Sequence, residues 1–185
     1  MNLRIANFIL RASSSGIKFL GLIILAKFLS VSEYGDYVLI STVISLGVLI
    51  IGFDFYTYAH RSLLKSNEKS LFFVITNYCY FILLSYILML PLFFMFIKER
   101  VIPTSYFIIF ILILIVDHVS QELSRLLTTL EKQIHASIVI FIKFSFPFLF
   151  SISLMFFFDN LRNINVFLYS WVISGAISIF LGLFY

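Results

Sequence analysis

Basic side chains recur at a regular spacing in the first apolar segment of the sequence. Arg4, Arg11 and Lys18 are spaced by sevens, so on a helix they lie along one face. Ser14 and Ser15 fall within the same arc of about 100°. Ionisable groups in such a segment usually face a bundle interior or an aqueous cavity, because hydrocarbon solvates them poorly. We therefore predict that this face binds an anionic group, phosphate being the obvious candidate, through four residues: Arg11, Ser14, Ser15 and Lys18.

This segment has a second interpretation, an amphipathic helix that lies on a membrane surface with its lysines extended towards the headgroups. That interpretation is the weaker one. The apolar run from residue 17 to residue 29 contains Lys18 and Lys27 and must still be placed in a membrane.

Another basic residue, Lys143, lies midway along the fifth apolar segment, four residues before Pro147. Proline has no backbone N–H, so carbonyl oxygens of its helix become available to nearby polar groups. The apolar segments contain more basic residues than are needed to anchor the helices in the membrane. We therefore add Lys143 to the predicted anion-binding residues.

Acidic residues also lie inside apolar segments. Asp117 and Arg125 share a face of the fourth segment, and Glu122 precedes Arg125 by three residues, a spacing at which the two can pair. Asp54 and Arg61 share a face of the second segment. The simplest interpretation is mutual neutralisation or anchoring near segment ends, but Asp117 is deeper. We predict a coupling or gating role for five residues: Asp54, Arg61, Asp117, Glu122 and Arg125.

Catalytic combinations are not evident. The three histidines, His60, His118 and His135, are on different segments, and no Ser-His-Asp or metal-binding spacing emerges. The single Cys79 cannot form a disulfide framework. We expect no enzymatic activity, no metal and no cofactor.

The amino-acid composition indicates whether water or membrane lipid surrounds this chain. Of 185 residues, 62% are hydrophobic and 12% are charged, with 24 phenylalanines, whereas a soluble domain has about a quarter of its residues charged. The sequence is therefore typical of an integral membrane protein that contacts membrane lipid. Its formal net charge of +4 does not require a nucleic-acid partner.

Spanning the hydrocarbon as a helix takes about 20 mostly apolar residues. Charged, turn-forming breaks separate six such segments, which predicts an all-α polytopic membrane protein with a single domain, 1–185. The predicted spans are 5–29, 36–59, 71–97, 105–127, 134–157 and 165–185. The stretch "SEYGDY" at 32–37 is predicted to be the tight turn between the first two spans, with Gly35 supplying the backbone conformation.

Basic residues beside the spans predict the orientation, because they favour the cytoplasmic side. With a cytoplasmic N-terminus, six lie on the inner flanks and four on the outer ones. The inner residues are Arg4, Arg61, Lys65, Lys69, Arg125 and Lys132, and the outer ones are Lys27, Lys98, Arg100 and Arg162. The sequence stops within the apolar run "SIFLGLFY". Either the last helix ends at the membrane interface or the sequence is a fragment of a longer protein, and we expect a fragment.

Several stretches resemble the N-terminal part of the proteins of one transporter family. "LAKFLS", "SEYGDY" and "GFDFYTYAHR" are similar to the first two spans of Wzx-type O-antigen flippases, within the multidrug/oligosaccharidyl-lipid/polysaccharide exporter superfamily. "ELSRLLTTLEKQIHASIVIFIKF" resembles the fourth span, cytoplasmic turn and fifth span of that family. The resemblance covers roughly residues 5–145 and is a diffuse pattern without a catalytic signature.

This resemblance implies about twelve spans in two six-helix lobes, with alternating access to a central cavity. It implies undecaprenyl-pyrophosphate-linked oligosaccharide as substrate, in the bacterial cytoplasmic membrane. The chain would supply the N-terminal lobe, and the C-terminal lobe would be its missing partner.

Three other interpretations remain open. A cation-coupled drug exporter of the same superfamily would favour an acidic cavity. A membrane-embedded polymerase or acyltransferase of polysaccharide synthesis would need a large outer loop, or a paired histidine and acid. A small structural membrane protein would leave Arg11, Lys18 and Asp117 unexplained.

Overall fold

The structure is a computed structural model, and it describes residues 3–52, 57, 68–99 and 102–185. These residues form long helices and contain no strand. The helices are α1 (Leu3–Phe28), α2 (Val31–Gly52), α3 (Glu68–Lys98), α4 (Phe107–Thr129), α5 (Gln133–Phe157) and α6 (Ile164–Phe184). Short 3-10 turns at Thr104–Tyr106 and Asp159–Leu161 precede α4 and α6.

Within that part of the chain, six helices are long and apolar enough to cross a membrane. The predicted all-α polytopic class is therefore confirmed. Predicted and observed ends agree within about three residues for the other five helices, but α2 begins five residues before its predicted start at residue 36. The predicted end of the second span, residue 59, lies outside the described residues.

The predicted turn at "SEYGDY" is wrong, because these residues form the first turns of α2. Only Leu29 and Ser30 separate α2 from α1. Ser30 and Glu33 form a capping box. The Ser30 hydroxyl and main-chain N–H donate to Glu33 Oε2 at 2.7 Å and 3.0 Å, and the N–H of Glu33 donates back to Ser30 Oγ at 3.3 Å. Gly35 is helical without a positive φ, so the chain turns without its special freedom.

Helix α5 occupies the middle of the bundle. It packs against α1, α4 and α6, whereas α3 contacts the bundle mainly through α2. The α1–α5 contact depends on Gly21, since a Cβ added there would lie 2.5 Å from the ring of Phe148. Large apolar side chains such as Phe8, Leu88 and Phe180 are exposed on the outside, as lipid-facing surfaces require.

Small residues bring α4 and α6 together. A Cβ on Gly175 would lie 2.6 Å from Cγ2 of Val116, so the two backbones approach closely. Beside this contact the hydroxyls of Ser120 and Ser178 lie 2.7 Å apart. Close packing of small residues and interhelical hydrogen bonds are how helices associate in lipid. The interface holds Asp117 of α4 near Trp171 of α6.

Candidate functional site

A buried ion pair joins α5 and α4 inside the bundle. The ammonium of Lys143, whose side chain is 3% exposed, lies 3.1 Å from Oδ2 of Asp117. It also donates to the main-chain oxygen of Asp117 at 2.9 Å. Trp171 of α6 donates its indole N–H to the other carboxylate oxygen of Asp117 at 3.3 Å. A buried charge is tolerated only when it is paired and hydrogen-bonded, and here three helices meet that requirement.

The proline of α5 acts as the sequence predicted. Pro147 lacks an N–H for the carbonyl oxygen of Lys143, four residues earlier. The hydroxyl of Ser174 on α6 lies 3.3 Å from that oxygen and donates at 2.6 Å to the carbonyl of Ile142. The backbone beside Lys143 is therefore held by a side chain of a neighbouring helix.

Three cationic side chains from three helices line one cavity of about 490 Å³, which we call the basic cavity. It lies towards the end of the bundle where α4 ends. Arg11 comes from α1, Arg125 from α4 and Lys143 from α5. The remaining lining residues are Gln121, Ser124, Thr128, Thr129, Ile140 and Phe144. None of the described residues that line it carries a carboxylate.

Neighbouring polar groups hold the two arginines of the basic cavity. The Nε–H of Arg11 donates to the hydroxyl of Ser137 on α5 at 3.1 Å, and Ser137 donates to the side-chain oxygen of Asn7. Arg125 pairs with Glu122 at 2.6 Å. Tyr78 of α3 donates its hydroxyl to the same carboxylate. These contacts orient both guanidinium groups.

A second cavity, of about 340 Å³, lies towards the connection between α1 and α2, and we call it the aromatic cavity. Its cations are Lys18 and Lys143, and both ammonium groups lie 5.0 Å from the ring centre of Phe144. The other lining residues are Leu22, Tyr34, Tyr37, Val38, Ser41, Ser45, Asp117, Pro147, Phe148, Phe167 and Trp171. Lys143 and Phe144 line both cavities, so the two spaces adjoin at this point.

The structure divides the predicted anion-binding face between these cavities. Arg11 lines the basic cavity and Lys18 the aromatic one. Ser14 is buried and Ser15 is exposed, and neither is among the described residues that line a cavity. The predicted Glu122–Arg125 pair forms. Asp54 and Arg61 lie outside the described residues.

Sequence reasoning missed several residues of the site, including Ser137, Phe144 and Trp171. Trp171 carried a signal, since it is the one tryptophan of the chain. Ser170, Ser174 and Ser178 carried another. They are spaced by fours on α6, and this spacing marks a polar face that turns out to be buried.

No protein-family model, no curated protein and no solved structure matches this chain. The site itself therefore supplies the functional argument. It can hold an anionic group with several oxygen atoms in the basic cavity, beside a second cavity with aromatic walls.

Proposed function

We propose that this chain forms one lobe of a membrane transporter that flips lipid-linked oligosaccharide across the bacterial cytoplasmic membrane, for surface polysaccharide synthesis. The observation that carries the proposal is the basic cavity, where Arg11, Arg125 and Lys143 converge from three helices. Placing a cation inside a membrane protein costs free energy, and cations found there are typical of substrate pathways. The sequence resemblance to Wzx-type flippases supplies the substrate class, and alternating access with a second lobe supplies the mechanism.

The charges of the site favour an anionic ligand over a cationic drug. The two carboxylates of α4, those of Asp117 and Glu122, are paired with Lys143 and Arg125. A cationic ligand would have to displace a built-in cation from one of them. A pyrophosphate instead offers several oxygens to guanidinium and ammonium groups, which bind such groups through charge-assisted hydrogen bonds.

The positions of the two cavities along the bundle support a path for the substrate headgroup. Thr128 and Thr129 at the end of α4 line the basic cavity, and Tyr34 near the start of α2 lines the aromatic cavity. With the N-terminus predicted to be cytoplasmic, the basic cavity would face the cytoplasm and the aromatic cavity the outside. A pyrophosphate entering from the cytoplasm would meet Arg11 and Arg125 first. Lys143 and then Lys18 follow along the path.

Direct binding tests this proposal. The purified chain in detergent should bind undecaprenyl pyrophosphate, and Arg11→Gln should weaken binding about tenfold, as loss of one charge-assisted contact implies. Isothermal titration calorimetry measures the affinity. Arg162→Gln is the matched control, because Arg162 is another arginine held by neighbouring groups, Asp159 and the carbonyl oxygen of Met155, but lies outside both cavities.

Two results would contradict the proposal. One is equal affinity of the wild type and Arg11→Gln for undecaprenyl pyrophosphate. The other is equal binding of undecaprenol, which lacks the phosphates, since that result would mean that the chain binds only the lipid tail.

A further inference from the structure

Lys143 is the cation that both cavities share. Among the described residues, Arg11 and Arg125 line only the basic cavity and Lys18 only the aromatic one. An anionic group that passes from one cavity to the other must therefore pass the ammonium of Lys143. That ammonium already has an anionic partner in Asp117.

The contacts of Lys143 make exchange of this partner feasible. An ammonium has three N–H donors, and the two acceptors seen here, a carboxylate oxygen at 3.1 Å and a carbonyl oxygen at 2.9 Å, both belong to Asp117. The carboxylate also accepts from the indole N–H of Trp171 at 3.3 Å. Asp117 thus keeps one hydrogen bond when Lys143 turns to another anion.

We propose that Asp117 competes with the phosphate of the ligand for Lys143. A phosphate oxygen replaces the Asp117 carboxylate as the headgroup passes between the cavities, and Asp117 regains Lys143 when the headgroup leaves. This inference rests on the proposed function, and it names the residue that makes the site release its ligand.

Competition solves two physical problems of a buried cation. A lone ammonium in the bundle would be strongly destabilising, and exchange keeps Lys143 paired both with and without ligand. A site for a passing ion must also bind weakly enough to let it leave. Asp117 lowers the affinity of Lys143 for phosphate by the free energy of the pair that the ligand must break.

Neutralising the competitor tests this inference. In the full chain in detergent, Asp117→Asn should bind inorganic pyrophosphate about tenfold more tightly than the wild type, a typical size for coupling between two interactions. Pyrophosphate should also raise the unfolding temperature of Asp117→Asn more than that of the wild type, because it supplies the missing anion. Calorimetry and thermal unfolding measure the two effects.

Two variants serve as controls. Asp159→Asn removes another ion-paired aspartate, one that is exposed and outside both cavities, and should change neither measurement. The double variant Asp117→Asn/Lys143→Met removes both buried charges and should fold, since neutral replacement of a buried pair is tolerated. It should lose the gain in affinity and the extra thermal stabilisation.

The outcomes separate this inference from the proposed function. Equal pyrophosphate affinity of the wild type and Asp117→Asn, with a weakened Arg11→Gln, overturns the competition and leaves the anion cavity standing. If neither the wild type nor Asp117→Asn binds pyrophosphate, both proposals fail. If Asp117→Asn stays unfolded in millimolar pyrophosphate while the double variant folds, Asp117 is only a structural partner and the inference is wrong.

Discussion

Ser174 contacts two carbonyl oxygens of α5, one of which belongs to Lys143 and has no helical donor because Pro147 follows four residues later. The sequence made that oxygen predictable, since the proline is visible. It did not reveal the donor, which comes from a helix about thirty residues away. The Lys143–Asp117 pair also could not be predicted, because its two residues belong to different helices. Residue spacing shows which side chains share a face of one helix, but not which helices meet.

Removing the hydroxyl of Ser174 tests the role of this contact. Ser174→Ala should lower the free energy of unfolding by about 1 kcal/mol, the usual value of a buried hydrogen bond between membrane helices. Denaturation in mixed micelles measures it. Ser153→Ala is the control, because Ser153 is exposed and donates only within its own helix, to Leu149. An equal effect of both substitutions would contradict the interhelical role of Ser174.

The helices themselves were predictable to the extent that burial in lipid determines them. Long apolar runs located all six, because hydrocarbon leaves no alternative to a helix for a single chain segment. The start of α2 was not located correctly. Its polar residues indicated a turn by composition, whereas Ser30 and Glu33 have the spacing of a capping box, which begins a helix. At this position the spacing of Ser30 and Glu33 indicates the start of the helix better than the composition does.

Alanine substitutions at two glycines distinguish the effect of close helix packing from the effect of helix propensity. At Gly175 an added Cβ would lie 2.6 Å and 2.8 Å from Cγ2 and Cβ of Val116, whereas nothing lies within 4 Å at Gly16. Gly175→Ala should therefore destabilise the bundle by about 1–3 kcal/mol through overpacking. Gly16→Ala should be neutral or stabilising by up to about 1 kcal/mol, because alanine favours helix. Thermal unfolding in detergent measures both, and a shift of the same sign would contradict the close α4–α6 contact.

At the scale of the whole molecule, the membrane orientation stays a prediction. With a cytoplasmic N-terminus, the segment 98–104 faces outwards and the segment 128–134 faces inwards. In a Cys79→Ala background, an impermeant thiol reagent applied to intact cells should label Thr104→Cys but not Lys132→Cys; both positions are exposed. After cell lysis both should react. Labelling of Lys132→Cys alone in intact cells would invert the topology and reverse the order of the two cavities.

The carboxylate of Glu33 pins two distant parts of the chain together. While Oε2 caps α2, Oε1 accepts the N–H of Ile164 at the start of α6, at 3.3 Å. Nearby, Arg162 lies over the ring of Phe28 at the end of α1. These contacts hold the connected ends of α1 and α2 to the start of α6, so a tilt of α1 about this end would displace its other end most. Arg11 lies about 28 Å along α1 from Ser30, so a tilt of about 5° would move it by about 2 Å. The basic cavity lies at that other end, and it would widen only if the hydrogen bonds of Ser137 on α5 with Arg11 and Asn7 were broken.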